Sequence, residues 1–281
     1  MARYGFTAAS LTGAVLGLAL AAGVSSGAQA GTVNFTWDPS VTGNTTAGSF
    51  TADRFGINDW ASISLPSDPS VTGSVTENGF LEISGFTYQG HPVSTVDQMG
   101  PAGYGMYEAF SATSHVTCSS AGNCTGKFDS ITATLYLYST QNGYASYSFD
   151  AAGNVSINLP SGANPIALAT ETGPAGPVAN FADITGGVPG ASVGVQFNPI
   201  LTSFFQAPPL NLVLDLEQVF SNTTGVVGGV PSKCPTTGVL PCVIEIKGGG
   251  GNADFLVPEP ASLALFSVGL AAFGFVRRRL A

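Results

Sequence analysis

The chain has 281 residues, of which 44% are hydrophobic and only 9% charged, and a formal net charge of −9; ordinary globular domains carry about 25% charged residues. All 17 acidic residues fall between Asp38 and Glu259, where the only basic ones are Arg54, Lys127, Lys233 and Lys247. Such a surface repels phosphate backbones and anionic headgroups, which excludes nucleic acid as a partner and leaves neutral polysaccharide or divalent cations easier to accommodate.

At the N-terminus, Arg3 precedes an apolar, small-residue stretch from Ala8 to Val24, and Ala28-Gln29-Ala30 fits the small-x-small cleavage pattern of a secretory signal peptide. Residues 1–30 are therefore expected to be removed, leaving Gly31 first. The body at 31–256 is long enough for one large all-β domain, and most of the chain's 18 Phe and 8 Tyr lie in it, supplying core-forming side chains that a disordered Gly-rich chain lacks.

Period-two alternation, punctuated by Gly, Pro, Asn and Asp, predicts strands over Thr32 to Trp37, Phe80 to Tyr88, Ser130 to Ser139, Tyr144 to Phe149, Asn154 to Leu159, Ser192 to Phe197, Leu210 to Phe220 and Val239 to Lys247. A turn or two of helix is expected near Pro199 to Gln206. Gln141-Asn142-Gly143 and Asp150-Ala151-Ala152-Gly153 predict a three-strand antiparallel meander, since Asn-Gly tolerates the positive φ of tight hairpins. In its first strand Ile131, Ala133, Leu135 and Leu137 share one face, expected to be core. The Gly/Pro-rich stretch from Thr172 to Gly190 reads as a loop. The expected architecture is an antiparallel two-sheet sandwich of jelly-roll type.

Four cysteines form two local pairs, Cys118 with Cys124 and Cys234 with Cys242. In an oxidising compartment these predict two short disulfides. Their spacings miss those of zinc sites, and His91 and His115 have no acid at metal-ligand spacing, so no metal is expected.

Gly190-Ala191-Ser192-Val193-Gly194 matches the G-x-S-x-G nucleophile elbow, but no helix signal follows it and no histidine occurs after His115. Asp215 and Glu217, two apart on an apparent strand, are the nearest thing to a glycosidase carboxylate pair, but the full alternating acidic motif is missing and, with Leu210, Leu212, Leu214 and Leu216 inward, they read as the solvated face of an amphipathic strand. No phosphate loop, nicotinamide fingerprint or zinc-protease motif is present, so neither a cofactor nor enzyme activity is expected. Tyr136 and Tyr138 lie beside the predicted hairpin, where tyrosine rings can stack on sugars.

At the C-terminus, Val257, Pro258, Glu259 and Pro260 precede an apolar run over 261–276 and then Arg277, Arg278 and Arg279. As a helix the run measures about 24 Å, just enough to cross a hydrocarbon core of roughly 30 Å, and the arginines hold the C-terminus in the cytoplasm. The segment 257–281 resembles the PEP-CTERM sorting signal of Gram-negative bacteria. The resemblance implies processing by exosortase at the inner membrane, transient single-pass anchoring, and delivery to the cell surface or extracellular matrix. Phe50-Thr51-Ala52-Asp53-Arg54-Phe55 and Gly79 to Phe86 resemble short stretches of flocculation-associated PEP-CTERM proteins. The expected function is that of a non-enzymatic matrix or cell-surface protein assisting aggregation, biofilm formation or polysaccharide association. The alternatives are a secreted glycan hydrolase or lyase, or a carbohydrate- or ice-binding module with regularly spaced hydroxyls across several strands.

Overall fold

The computed structural model describes residues 33–65, 73–94, 96, 98–118, 124–173, 179–182, 190–207, 213–219 and 242–256; at 65, 116–118, 124–125, 179–182, 190–192, 207, 213–219, 242–244 and 256 it defines the backbone alone. They belong to one compact unit, Thr32–Leu256. The expected signal peptide, the tail with its helix at 261–276, and Cys234 lie outside the described residues.

In chain order the strands are β1 (Phe35–Trp37), β2 (Phe50–Ala52), β3 (Arg54–Leu65), β4 (Gly73–Tyr88), β5 (His91–Pro92), β6 (Tyr104–Cys118), β7 (Cys124–Ser139), β8 (Ser146–Phe149), β9 (Val155–Asn158), β10 (Ile166–Gly173), β11 (Ala179–Ala182), β12 (Gly190–Pro199), β13 (Phe205–Ala207), β14 (Val213–Val219) and β15 (Cys242–Leu256). Sequence pattern had missed the short β2 and β5 and the long β3, β6 and β10. Each of the long three carries an acid in the apolar phase of its alternation, Asp59, Glu108 and Glu171 respectively. The expected helical turns near 199–206 are a single turn, closed by Phe204 N–H donating to Leu201 C=O at 3.0 Å, followed by β13. The stretch expected as loop over 172–190 contains β11, whose Asn180 and Phe181 pair with Lys127 and Gly126 of β7.

Strand order corrects the jelly-roll expectation. β3 pairs with β4, β4 with β6, and β6 with β7. β7 then pairs with β10 along Ile131 to Leu137 and with β11 along Thr125 to Lys127. β12 pairs with both of these and, on its other side, with β14. β14 pairs with β15, and β15 returns to β3. Because β10 and β11 follow each other along the same side of β7, they make one interrupted stave, and the ring closes through eight antiparallel staves. Staves adjacent in the ring are adjacent in the chain, apart from the closing pair. That is the connectivity of an up-and-down barrel; a jelly roll needs Greek-key crossings between sheets. Closure gives the backbone groups of β3 and β15 partners that an open sheet would leave as edges.

The predicted meander is also revised. β8 and β9 do form the hairpin, with Asp150 Oδ1 accepting from Ala152 N–H and Asn154 N–H across the turn. They make a separate two-stranded sheet, because the place beside β7 is taken by β10 and β11. The chain turns away after β7 as Thr140 Oγ1 donates to Gln98 C=O and Gly143, at φ 131°, donates to Thr140 C=O.

The aliphatic face of β7 is core as expected, Ile131, Ala133, Leu135 and Leu137 being 6, 6, 2 and 0% exposed. One end of the interior is aromatic. The three-stranded sheet β13-β1-β2 brings Phe35 and Trp37 against it, with Trp37 5.4 Å from Phe86, Phe204 and Phe205, and Phe35 5.3 Å from Phe255. These tilted and edge contacts satisfy the ring quadrupoles, and each fully buried ring of this size contributes roughly 2 to 3 kcal/mol.

Candidate functional site

Opposed residues of an antiparallel pair share a sheet face, so the registers define what the barrel shows to solvent. Across β4, β6, β7 and β10 one outer row reads Asn78, Ser111, Thr132, Thr172 and the next reads Phe80, Ala109, Thr134, Thr170. A third, Thr76, Thr113, Ser130, lies on the other side of the first, and its Thr113 and Ser130 hydroxyls bond at 2.7 Å. Rows of this kind repeat about every 4.8 Å between strands and about 7 Å along them. Asn78, Ser111, Thr132 and Thr172 are exposed.

Over this face stands the β8–β9 hairpin, whose Val155 walls a groove of about 510 Å³ floored by the first two rows. The hairpin is held by Tyr147, stacked on Trp60 at 5.0 Å and tilted against Phe80 at 6.0 Å. Beyond Phe80 the same outer face carries Tyr107 stacked on Tyr136 at 5.0 Å. Burial, and then the neighbouring Tyr136, push the Tyr107 hydroxyl up to about 12, so it stays protonated and able to donate. The face as a whole offers neutral donors and acceptors beside aromatic surface. Among the described residues no charged side chain lines the groove except Glu171, whose carboxyl belongs to the inward face of β10 and is 1% exposed.

Of the tyrosines singled out as glycan contacts, Tyr136 is half-buried under its stack, and Tyr138 is 2% exposed with its hydroxyl accepting from Ala145 N–H at 3.1 Å. Tyr138 thus has no face to offer a sugar: it anchors the β7–β8 connection. Residues Gly190 to Gly194 lie wholly within β12, so Ser192 sits mid-strand and not on a strand-to-helix turn. Asp215 is opposite Gly194 and Asp254, and Glu217 opposite Ser192 and Asn252, positions on the same sheet face as Asn252 and Asp254. Cys118 and Cys124 are register partners across the β6–β7 hairpin, and Cys242 opens β15 opposite Leu65. His91 is exposed on β5; His115 pairs with Asp129 at the surface and reaches Ser74 Oγ at 3.5 Å. Among the described residues no group of three metal-ligating side chains is placed to hold an ion.

A feature the sequence reading missed lies behind the groove. Asp59, Glu108 and Glu171 are 1, 2 and 1% exposed, on the inward faces of β3, β6 and β10, and Glu77 of β4 joins them with partial solvent contact. Registers put them on three successive inward rows: Asp59, Leu81 and Glu108 on one; Phe110, Ala133 and Glu171 on the next; Glu77 and Ala112 on the third. Burial is the main cause raising all four acids, with Glu77 and Glu108 each brought to about 7. The Glu108 and Glu171 carboxyls interact directly. Neither Glu171 oxygen meets good hydrogen-bond geometry, which makes the contact a close carboxyl pair and not a well-aligned bond. The signal was present in sequence as acids in phase with apolar neighbours: Ile57, Asp59, Ala61, Ile63, and Met106, Glu108, Phe110, Ala112.

Residues 256–279 match the PEP-CTERM protein-sorting motif, the segment that carries the Pro-Glu-Pro triplet and the terminal arginines. No curated protein and no solved structure matches the chain. The motif marks an exported protein targeted to exosortase, anchored in the membrane in transit before processing.

Proposed function

We propose that the barrel is a non-enzymatic module that associates the exported protein with neutral extracellular polysaccharide, through the hydroxyl rows of β4, β6, β7 and β10. The observation that carries this reading is the groove itself: Ser, Thr and Asn side chains at sheet spacing, an apolar wall and an aromatic margin, with no exposed charge in the lining. Sugar hydroxyls need paired donors and acceptors, and pyranose faces need apolar surface; this arrangement supplies both. The few charges make the association insensitive to salt, unlike binding to a polyanion. The hydrolase or lyase alternative finds less support, because the carboxyls that converge do so inside the ring at 1–2% exposure, out of reach of a polymer. A flat hydroxyl lattice also suits ice, but the β8–β9 hairpin stands over the groove and obstructs a planar crystal face.

Retention of the protein in the matrix and cell aggregation test this role in the producing cell. Deleting the gene should weaken both. Complementation by Ser192→Ala, or by Asp215→Asn with Glu217→Gln, should succeed as well as wild type. Loss of complementation by these variants, with export and folding intact, would instead support the enzyme.

A further inference from the structure

Among the described residues, the ring interior holds four carboxyl groups and no basic side chain. Around Asp59, Glu77, Glu108 and Glu171, the inward-facing titratable group contributed by a neighbouring position is Tyr104 of β6; β7 faces them with Ile131, Ala133 and Leu135, β12 with Val193, Val195 and Phe197, and β15 with Ile246, Ala253 and Phe255. On β14 the inward positions are Leu214 and Leu216, opposite Val195 and Val193. Every described basic residue is exposed: Arg54 with Asp254, Lys247 with Glu245, and Lys127, His91 and His115 at the surface. Among the described residues, neither oxygen of Asp59 and neither of Glu171 has a hydrogen-bond partner.

An ionised carboxylate in such surroundings costs several kcal/mol unless paired, whereas a protonated one can remain and share its proton with a neighbour. We infer that the cluster of Asp59, Glu108 and Glu171, with Glu77 at its margin, is a proton-operated lock: the barrel closes tightly while these acids hold their protons and loosens when the surroundings take them away. The direction follows from linkage. The folded state binds more protons than the unfolded chain, so stability is full below the ordinary carboxylate range and falls as pH rises through neutrality. For Glu77 and Glu108, both raised from 4.5 to about 7, that fall runs between these two values and is complete above neutrality. The loosening reaches the groove, because Phe110, Ala133 and Glu171 alternate along their strands with Ser111, Thr132, Thr134, Thr170 and Thr172 of its floor. The inference stands whether or not the groove binds polysaccharide.

Thermal unfolding of the full-length chain in detergent, followed by circular dichroism from pH 4.5 to 8.5, is the test. The melting temperature should fall by at least roughly 10 °C across this range. The profile should flatten in Glu171→Gln, while Glu82→Gln, which removes an outward-facing acid whose partner Asn58 does not titrate and so changes net charge equally, should keep the wild-type slope. Should Glu171→Gln fail to fold, amide hydrogen exchange of the wild type at the two pH extremes, corrected for intrinsic rates, should show protection lost first in β4, β6 and β10. A melting temperature constant or rising with pH would overturn the inference. So would a recovery at pH 8.5 on adding millimolar calcium chloride in place of EDTA, since a bound cation and not protons would then balance the charge.

Discussion

Glu108→Gln should stabilise the barrel in alkaline solution and leave it unchanged in acid. Glu108 is 2% exposed and its carboxyl is raised from 4.5 to about 7, burial being the main cause. A rise of this size, at about 1.4 kcal/mol for each pH unit, makes ionisation of this one group cost the folded state roughly 3 kcal/mol. The cost is absent below pH 4.5, where both folded and unfolded chains are protonated, grows through the interval up to 7, and is complete above it. Glutamine has nearly the shape of the protonated acid, keeps an N–H to offer Glu171, and cannot ionise. The variant should therefore match wild type within about 0.5 kcal/mol at pH 4 and exceed it by roughly 3 kcal/mol at pH 8.5, a gain of about 6 to 12 °C in melting temperature for a domain of this size. Urea titrations at the two pH values supply the free energies, and calorimetry the temperatures. A difference between variant and wild type that is the same at both pH values, or a variant less stable at pH 8.5, would refute the reasoning.

Other perturbations bear on separate parts of the molecule. A Cβ at Gly105 would lie 2.1 Å from Cζ of the buried Tyr138, whose hydroxyl is held by Ala145, so Gly105→Ala should cost about 2 kcal/mol or more in chemical denaturation. A Gly105→Ala/Tyr138→Leu pair should cost less than the sum of the single changes. Non-reducing peptide mapping should show Cys118 joined to Cys124, its register partner, and Cys234 joined to Cys242; cross-pairing would contradict both. Replacing Pro258, Glu259 and Pro260 by alanine should leave full-length protein in the membrane, and mass spectrometry of wild-type secreted material should find no peptide containing Arg277 to Arg279.

Much of the β content was legible because half-buried strands write their period into the chain: the alternation of Ile131, Ala133, Leu135 and Leu137 located both β7 and its buried face. Closure was not legible. It rests on β15 meeting β3 and on β14 meeting β12, and nothing local in Cys242 to Leu256 says which strand lies beside it. The acids inside the ring were hidden by the same rule that found the strands, since a carboxylate in an alternating pattern is normally assigned to water. Asp59 and Glu108 break that assignment because burial keeps both neutral, Glu77 and Glu108 adding to the effect at Asp59. The hydroxyl face was half legible. Thr132 and Thr134 were already opposite to the core face of β7, but their alignment with Ser111, Thr170 and Thr172 depends on registers that only the folded chain fixes.

Affinity electrophoresis of the protein through gels containing a neutral polysaccharide, for wild type and Thr132→Glu/Thr172→Glu, tests the proposed association most directly. These positions are exposed and neighbours in the same outer row, so the added charges perturb the groove floor and not the core. With each sugar hydrogen bond contributing about 1 kcal/mol, disrupting two and desolvating two carboxylates should weaken binding at least roughly tenfold. The account predicts retardation of wild type that persists in 0.5 M salt (about a 4 Å screening length) and is lost in the variant. Equal retardation of both, or none of the wild type by any neutral polymer from the producing cell's own matrix, would contradict it.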